Sequence, residues 1–216
     1  TNGEEAVTNS GQAPSKRLIV NPTDAVQWAL YYPGILDISD LSDLSSSKDP
    51  KIVSAVSALR GGDLALAEKQ FNGSSDKDVL GRAFIMQKRG NLNASLRTLN
   101  AFKGMATPSI ALYKASLLLA LGEIDASLKI LSYLRSQNNP DSSIEASVLS
   151  ELAIIALVKN DKKMARNLAN KALEVRPSLS MAAVASSYIW QSEFNLKQAE
   201  DIINSALSND ENNPIL

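Results

Sequence analysis

The chain has 216 residues, 44% of them apolar and 21% charged, with a formal net charge of −1, and it contains neither cysteine nor histidine. The missing residue types exclude thiol nucleophiles, imidazole general bases and the usual zinc-ligand sets. Near-neutral charge provides no global attraction to nucleic acid or to an acidic membrane, and the length suffices for one sizeable core or an extended stack.

Residues 1–22 are rich in Gly, Ser, Asn and Thr, carry no helical period, and are expected to form an extended tail or the end of an upstream domain. Because the chain opens at Thr1, it reads as a piece of a longer protein, with any export signal lying upstream. Residues 23–47 are expected to hold a short aromatic helix and a connector. Thr23 or Asn21 supplies a cap, and Asp24 sits where the helix dipole favours a carboxylate. Trp28, Tyr31 and Tyr32 crowd this helix, and Pro33-Gly34 stops it. Residues 37–49 then read as an acidic, Ser-rich connector.

Residues 48–216 alternate helices with tight turns. Asp49-Pro50 and Thr107-Pro108 each place a capping side chain before a proline at the first helical position, and Ser142-Ser143-Ile144-Glu145 has capping-box spacing. The periodicity predicts helix pairs over 50–60/63–72, 77–89/92–102, 108–121/124–138, 142–159/161–175 and 179–192/195–208. No apolar run approaches the length of a membrane helix, the candidate at residues 115–121 being far too short, so no direct membrane insertion is expected of this segment.

One pattern recurs at each pair. Gly62-Asp63 precedes Ala67 and Phe71, Gly90-Asn91 precedes Ser95 and Leu99, and Gly122-Glu123 precedes Ser127 and Leu131. Asn160-Asp161 precedes Ala165 and Ala169, and a worn fifth copy, Phe194-Asn195, precedes Ala199 and Ile203. The small residues stand 28, 32, 38 and 34 positions apart. Two-helix units at such a period form stacked arrays, each unit burying its apolar face on its neighbours. Antiparallel helices joined by a tight turn approach closely beside it, which calls for Ala or Ser there. The preceding Gly or Asn supplies the left-handed residue that ends the first helix.

The block over residues 146–179 resembles a tetratricopeptide repeat. Asn160, Asp161, Ala165, Ala169, Ala172 and Pro177 stand where that family has its turn, its small residues and its closing proline. The other four units match more loosely and lack the family's Trp-Leu-Gly-Tyr run, with Ala55, Ala83, Ala115 and Ala153 at the small position of the first helix. The resemblance covers residues 48–210 and implies an all-α, right-handed α-solenoid of about five hairpins that serves as a non-catalytic protein–protein interaction scaffold. Separately, PTDAVQWALYYP is similar to the segment linking a FecR-type domain to a tetratricopeptide array in certain bacterial envelope proteins. That similarity implies a periplasmic or cell-envelope location within a larger bacterial protein. A scaffold of an outer-membrane secretion or polysaccharide-export machine is the alternative role.

Family geometry places the first helix of each pair on the inner wall of the superhelix. It implies a partner-binding groove of Ile52, Val56, Leu59 and Arg60 in the first unit and Leu80, Phe84, Gln87 and Lys88 in the second. The third contributes Leu112, Ser116 and Leu119, the fourth Ser150, Ile154, Leu157 and Val158, and the fifth Met181, Val184, Tyr188 and Gln191. Such a wall suits an amphipathic helix or apolar peptide of another protein. The alternative, that several of these side chains pack internally, stays open. The positions of the family's carboxylate clamp hold Val56, Phe84 and Ser116, so that clamp is not written. Trp28, Tyr31 and Tyr32 are expected to cap the first pair near Ile52, Leu66 and Phe71, or to dock in the groove or on another surface. Lys159, Lys162, Lys163 and Arg166 read as a solvated outer face rather than a nucleic-acid patch. A helical-toroid hydrolase would need acidic side chains gathered in the concavity. The groove positions hold none, and Glu145 and Glu151 do not share a helix face. No cofactor or metal site is written.

Overall fold

The computed structural model describes residues 4–7, 15–18, 36–137, 141–209 and 213. Two short strands, β1 (Glu4–Val7) and β2 (Ser15–Leu18), pair antiparallel with Glu4 opposite Leu18 and Val7 opposite Ser15. The aromatic segment with Trp28, Tyr31 and Tyr32 lies outside the described residues. A single 3-10 turn (Ile38–Asp40) and a one-turn helix α1 (Ser42–Ser45) lead into ten longer helices. These form five hairpins: α2 (Pro50–Arg60) with α3 (Leu64–Gln70), α4 (Asp76–Lys88) with α5 (Leu92–Asn100), and α6 (Pro108–Ala120) with α7 (Ile124–Ser136). The last two are α8 (Ser142–Val158) with α9 (Lys162–Val175), and α10 (Ser180–Ser192) with α11 (Leu196–Leu207). Every end of these ten helices lies within two residues of its sequence-based position, whereas α1 falls in the stretch expected to be a connector.

The recurring dipeptide explains the hairpins locally. Its first residue is left-handed in all five turns: Gly62 (φ 81°), Gly90 (76°), Gly122 (82°), Asn160 (60°) and Phe194 (59°). The second residue donates its N–H five residues back, from Asp63 to Ala58, Asn91 to Met86, Glu123 to Leu118, Asp161 to Ala156 and Asn195 to Trp190, which closes the first helix. It is also the N-cap of the second helix. Asp63, Asn91, Asp161 and Asn195 each accept from an N–H three residues on, while Glu123 makes no side-chain cap. Two residues thus end one helix and begin the next, which forces an antiparallel pair.

The small residues after the turns are buried, with Ala67, Ser95, Ser127 and Ala165 at 0% exposure and Ala199 at 4%. Ser95 donates to the Ala83 carbonyl at 2.8 Å and meets the Tyr113 hydroxyl at 3.2 Å, so a small side chain here also links two hairpins. Phe84 and Tyr113 stack at 4.1 Å between centroids, between α4 and α6. The Phe71 ring lies flat on Gly81, where a Cβ would come within 2.4 Å of it. Phe71 and Ile52 are buried whereas Leu66 is 40% exposed.

First and second helices differ in burial. In α8, fourteen of seventeen residues are buried, against four of fourteen in α9. The later first helices, α8 and α10, are enclosed on nearly all sides, whereas α2 buries four of its eleven residues, and the second helices form the outer layer with one apolar stripe each. Enclosing a first helix requires something on its third side. That covering comes from a stretch the sequence had marked as a connector.

Candidate functional site

Residues 36–47 form a strap across the inner face of the first helices. Leu36, Ile38, Leu41 and Leu44 are each 1% exposed or less. At the strap's start the Leu36 N–H donates to Ser116 Oγ on α6 at 3.3 Å, and the Asp37 carboxylate stands 3.9 Å from Lys88 Nζ at the end of α4. Farther on, the Ser42 hydroxyl donates to Asp141, the N-cap of α8, and the Ser109 hydroxyl on the first turn of α6 donates to Asp43. Lys77 Nζ reaches Ser47 Oγ at 3.4 Å near the start of α4. The strap therefore runs from the turn ends of the inner helices to their N-terminal ends. Beside it, Ile38, Leu44, Val56, Leu59, Arg60 and Lys88 line a cavity of about 840 Å³.

A buried carboxyl on α8 lies within electrostatic reach of the strap. Glu151 on α8 is completely buried, and no hydrogen bond of standard geometry reaches either of its carboxylate oxygens. Burial, reinforced by the negative charge of Asp40, pushes its carboxyl up to about 8, against a smaller opposing effect of the Ser116 hydroxyl. Asp40 is itself 3% exposed, and its Oδ2 accepts the Asp37 N–H at 3.0 Å, which holds the 3-10 turn. Ser143 and Ser147 precede Glu151 at four-residue steps on the same face of α8, and their hydroxyls are buried without partners. Next door, burial raises the Tyr113 phenol far above its ordinary range.

The positions expected to line a groove are, for the most part, not presented to solvent in the free chain. Ile52, Leu59, Leu80, Phe84, Leu112, Ser116, Leu119, Ser150, Ile154, Leu157, Met181 and Val184 are buried. Val56, Gln87, Val158, Tyr188 and Gln191 are half-buried, and only Arg60 and Lys88 are exposed. Two causes operate. Neighbouring inner helices pack on one another, as where Phe84 stacks on Tyr113 and Gln87 accepts its hydroxyl. The strap covers the remaining side, bringing Ser116, Val56, Leu59 and Lys88 together around it.

Sequence reasoning passed over the strap, Asp141, Ser109 and Glu151. Four aliphatic residues in nine positions of a Ser- and Asp-rich stretch, and a carboxylate, Glu151, beside the apolar run that ends α8, are the signals that could have found them. The basic cluster makes specific contacts rather than a free cationic patch. Lys162 Nζ donates to the Ser192 carbonyl at 2.9 Å, and Arg166 pairs with Glu193 and lies 5.0 Å from the Trp190 ring centroid.

No family model matches the chain, and no curated protein matches it in sequence. Among solved structures it is similar to one described as the APC/C hetero-tetramer Cut9-Hcn1, with a TM-score of 0.61 and 16% identity over 89% of this chain and 38% of that one. It is also similar to MamA, with a TM-score of 0.48 and 14% identity over 73% of this chain and 94% of that one. The fold is a tetratricopeptide-type α-solenoid. No helix among the described residues is long and apolar enough to cross a membrane.

Proposed function

We propose that this chain is a non-catalytic protein-interaction scaffold whose inner face receives a segment of polypeptide. The observation that carries the reading is the strap: the face already holds a peptide-like segment, with four aliphatic side chains buried and its backbone and carboxylates matched by Ser116, Lys88 and Ser109. Residues 38–40 and 42–45 of the strap are short helical turns, so the face suits a segment that adopts such turns, whether an apolar peptide or an amphipathic helix. Catalysis by Glu151 and Asp40 has little to support it. A hydrolytic carboxyl pair must admit substrate and water between its members, and both groups are sealed.

The wider setting we propose is a larger bacterial cell-envelope protein, with the scaffold in the periplasm. This rests on the similarity of residues 22–33 to the linker of FecR-domain envelope proteins, and fractionation of the full-length protein tests it. For the interaction face, displayed peptides selected on the full chain should lose binding on Lys88→Glu, at the rim of the inner face. They should keep it on Lys171→Glu in the outer helix α9. The reverse pattern would assign interaction to the outer layer.

A further inference from the structure

Among the inner helices, α2 has the least cover. It buries four of its eleven residues, against seven of thirteen in α4, eight of thirteen in α6 and ten of thirteen in α10. In a stack each unit buries its apolar face on its neighbours, and among the described residues no helical hairpin precedes α2. A stripe on α2 is left without such a neighbour. Val53, Val56, Ser57 and Arg60 stand at i, i+3, i+4 and i+7 on one face of the helix, and all four line the cavity of about 840 Å³ beside the strap. Val53 is 50% exposed, Ser57 and Arg60 are exposed, and Val56 is half-buried. Ile38 and Leu44 of the strap line the same cavity, which is therefore a cleft between the strap and α2 with room for roughly two turns of helix. Its character changes along its length. The stretch beside Val53 and Val56 is aliphatic, and the end at the α2–α3 turn carries Arg60 and Lys88. Asp37, 3.9 Å from Lys88, is the only carboxylate among the described residues that line the cleft, so that end keeps an excess of positive charge.

We propose that this cleft takes an amphipathic helix of another protein, with aliphatic residues at i, i+3, i+4 and i+7 and carboxylates in its first turn. The inference rests on the interaction reading above and names the ligand and its seat. The incoming helix lies antiparallel to α2, as paired helices do in this stack, with its apolar stripe on Val53 and Val56 and its first turn beside Arg60 and Lys88. Carboxylates at that turn act twice: they meet the two cations, and they complement the positive end of their own helix dipole. A helix is specified rather than an extended strand, because α2 offers side chains in helical register and no strand edge borders the cleft among the described residues. The partner takes the place of the neighbour that α2 lacks and lengthens the stack by one helix.

The test uses two fluorescein-labelled helical peptides with leucines at i, i+3, i+4 and i+7, one with glutamates in its first turn and one with glutamines in their place. Both are titrated by fluorescence anisotropy into the full chain and into the full chain carrying Val53→Asp, Arg60→Glu or Lys171→Glu, each checked for folding by helical circular dichroism. The glutamate peptide should bind the native chain about fivefold more tightly than the glutamine peptide, as expected of a well-placed exposed ion pair, and the gap should close in high salt. Arg60→Glu should cancel the preference, Val53→Asp should weaken both peptides at least tenfold, and Lys171→Glu in the outer layer should change neither. Equal affinity of the two peptides overturns the acidic ligand. Binding that Val53→Asp leaves unchanged overturns the seat on α2. No binding of either peptide overturns the inference, whereas displayed peptides that still depend on Lys88 keep the interaction reading. Tighter binding to a chain carrying Trp28→Ala, Tyr31→Ala and Tyr32→Ala would give the cleft to this chain's own aromatic segment, and a dimer dissociated by Val53→Asp would give it to a second copy. Either result overturns the assignment to another protein.

Discussion

Removing the charge capacity of Glu151 should change how stability depends on pH. In the folded chain its carboxyl titrates near 8 rather than at an ordinary 4.5, because burial and then Asp40 disfavour the charged form. Between those two values the unfolded chain has released this proton and the folded chain still binds it. Stability therefore falls as pH rises from about 4.5 to about 8. At about 1.4 kcal/mol per tenfold change in proton affinity, the full decline is ~5 kcal/mol, comparable with the whole stability of a small domain. Glu151→Gln keeps the shape and cannot ionise, so its curve should be flat where the native curve falls. Asp40→Asn removes one of the two causes of the raised value and should give an intermediate slope. Urea unfolding followed by circular dichroism at pH 5, 6, 7 and 8 measures all three. Parallel curves for the native chain and Glu151→Gln would refute the burial of this carboxyl.

Four further substitutions test the packing. Gly81→Ala, which would ordinarily stabilise a helix interior, should instead lower the melting temperature, because the new Cβ falls 2.4 Å from the Phe71 ring. Phe194→Gly should raise stability by about 1 kcal/mol, since Phe194 occupies the left-handed position (φ 59°) that Gly62, Gly90 and Gly122 fill elsewhere, and an unchanged urea midpoint would count against strain there. Ala165→Leu and Ala67→Leu should each cost about 1–3 kcal/mol by overpacking a helix crossing where both alanines are 0% exposed, and thermal melts without a shift would mean these crossings are looser than described.

The hairpins were legible because their causes are local. A left-handed residue followed by a capping residue is written in two consecutive letters, and the small residue four places on follows from the closeness of the helices. Phe194 shows the limit of such reading, since only its place in the repeat, and not its chemistry, marks it as the turn residue. The inner face was hidden for a different reason. Leu36, Ile38, Leu41 and Leu44 are spaced two, three and three apart, matching neither a strand nor a helix, within a segment whose Ser and Asp content suggested solvation. Their burial depends on partners more than sixty residues away, such as Ser116 and Ser109, which no local pattern announces. Glu151 was set aside because Glu145 does not share its helix face, and Asp40, whose charge helps to raise its carboxyl, stands more than a hundred residues away in the sequence.

The central claim is that residues 36–47 lie along the inner face of their own chain. Because the chain contains no cysteine, Asp43→Cys with Ser109→Cys introduces a single possible disulfide at a place where the two side chains already touch. Under mild oxidation in dilute solution, the doubly substituted protein should form that bond within one chain. Non-reducing electrophoresis and mass spectrometry should show a monomer two hydrogen atoms lighter, and the cross-link should raise the urea midpoint. Thiols that stay free while the helices are intact, or bonds that form only between chains, would contradict it.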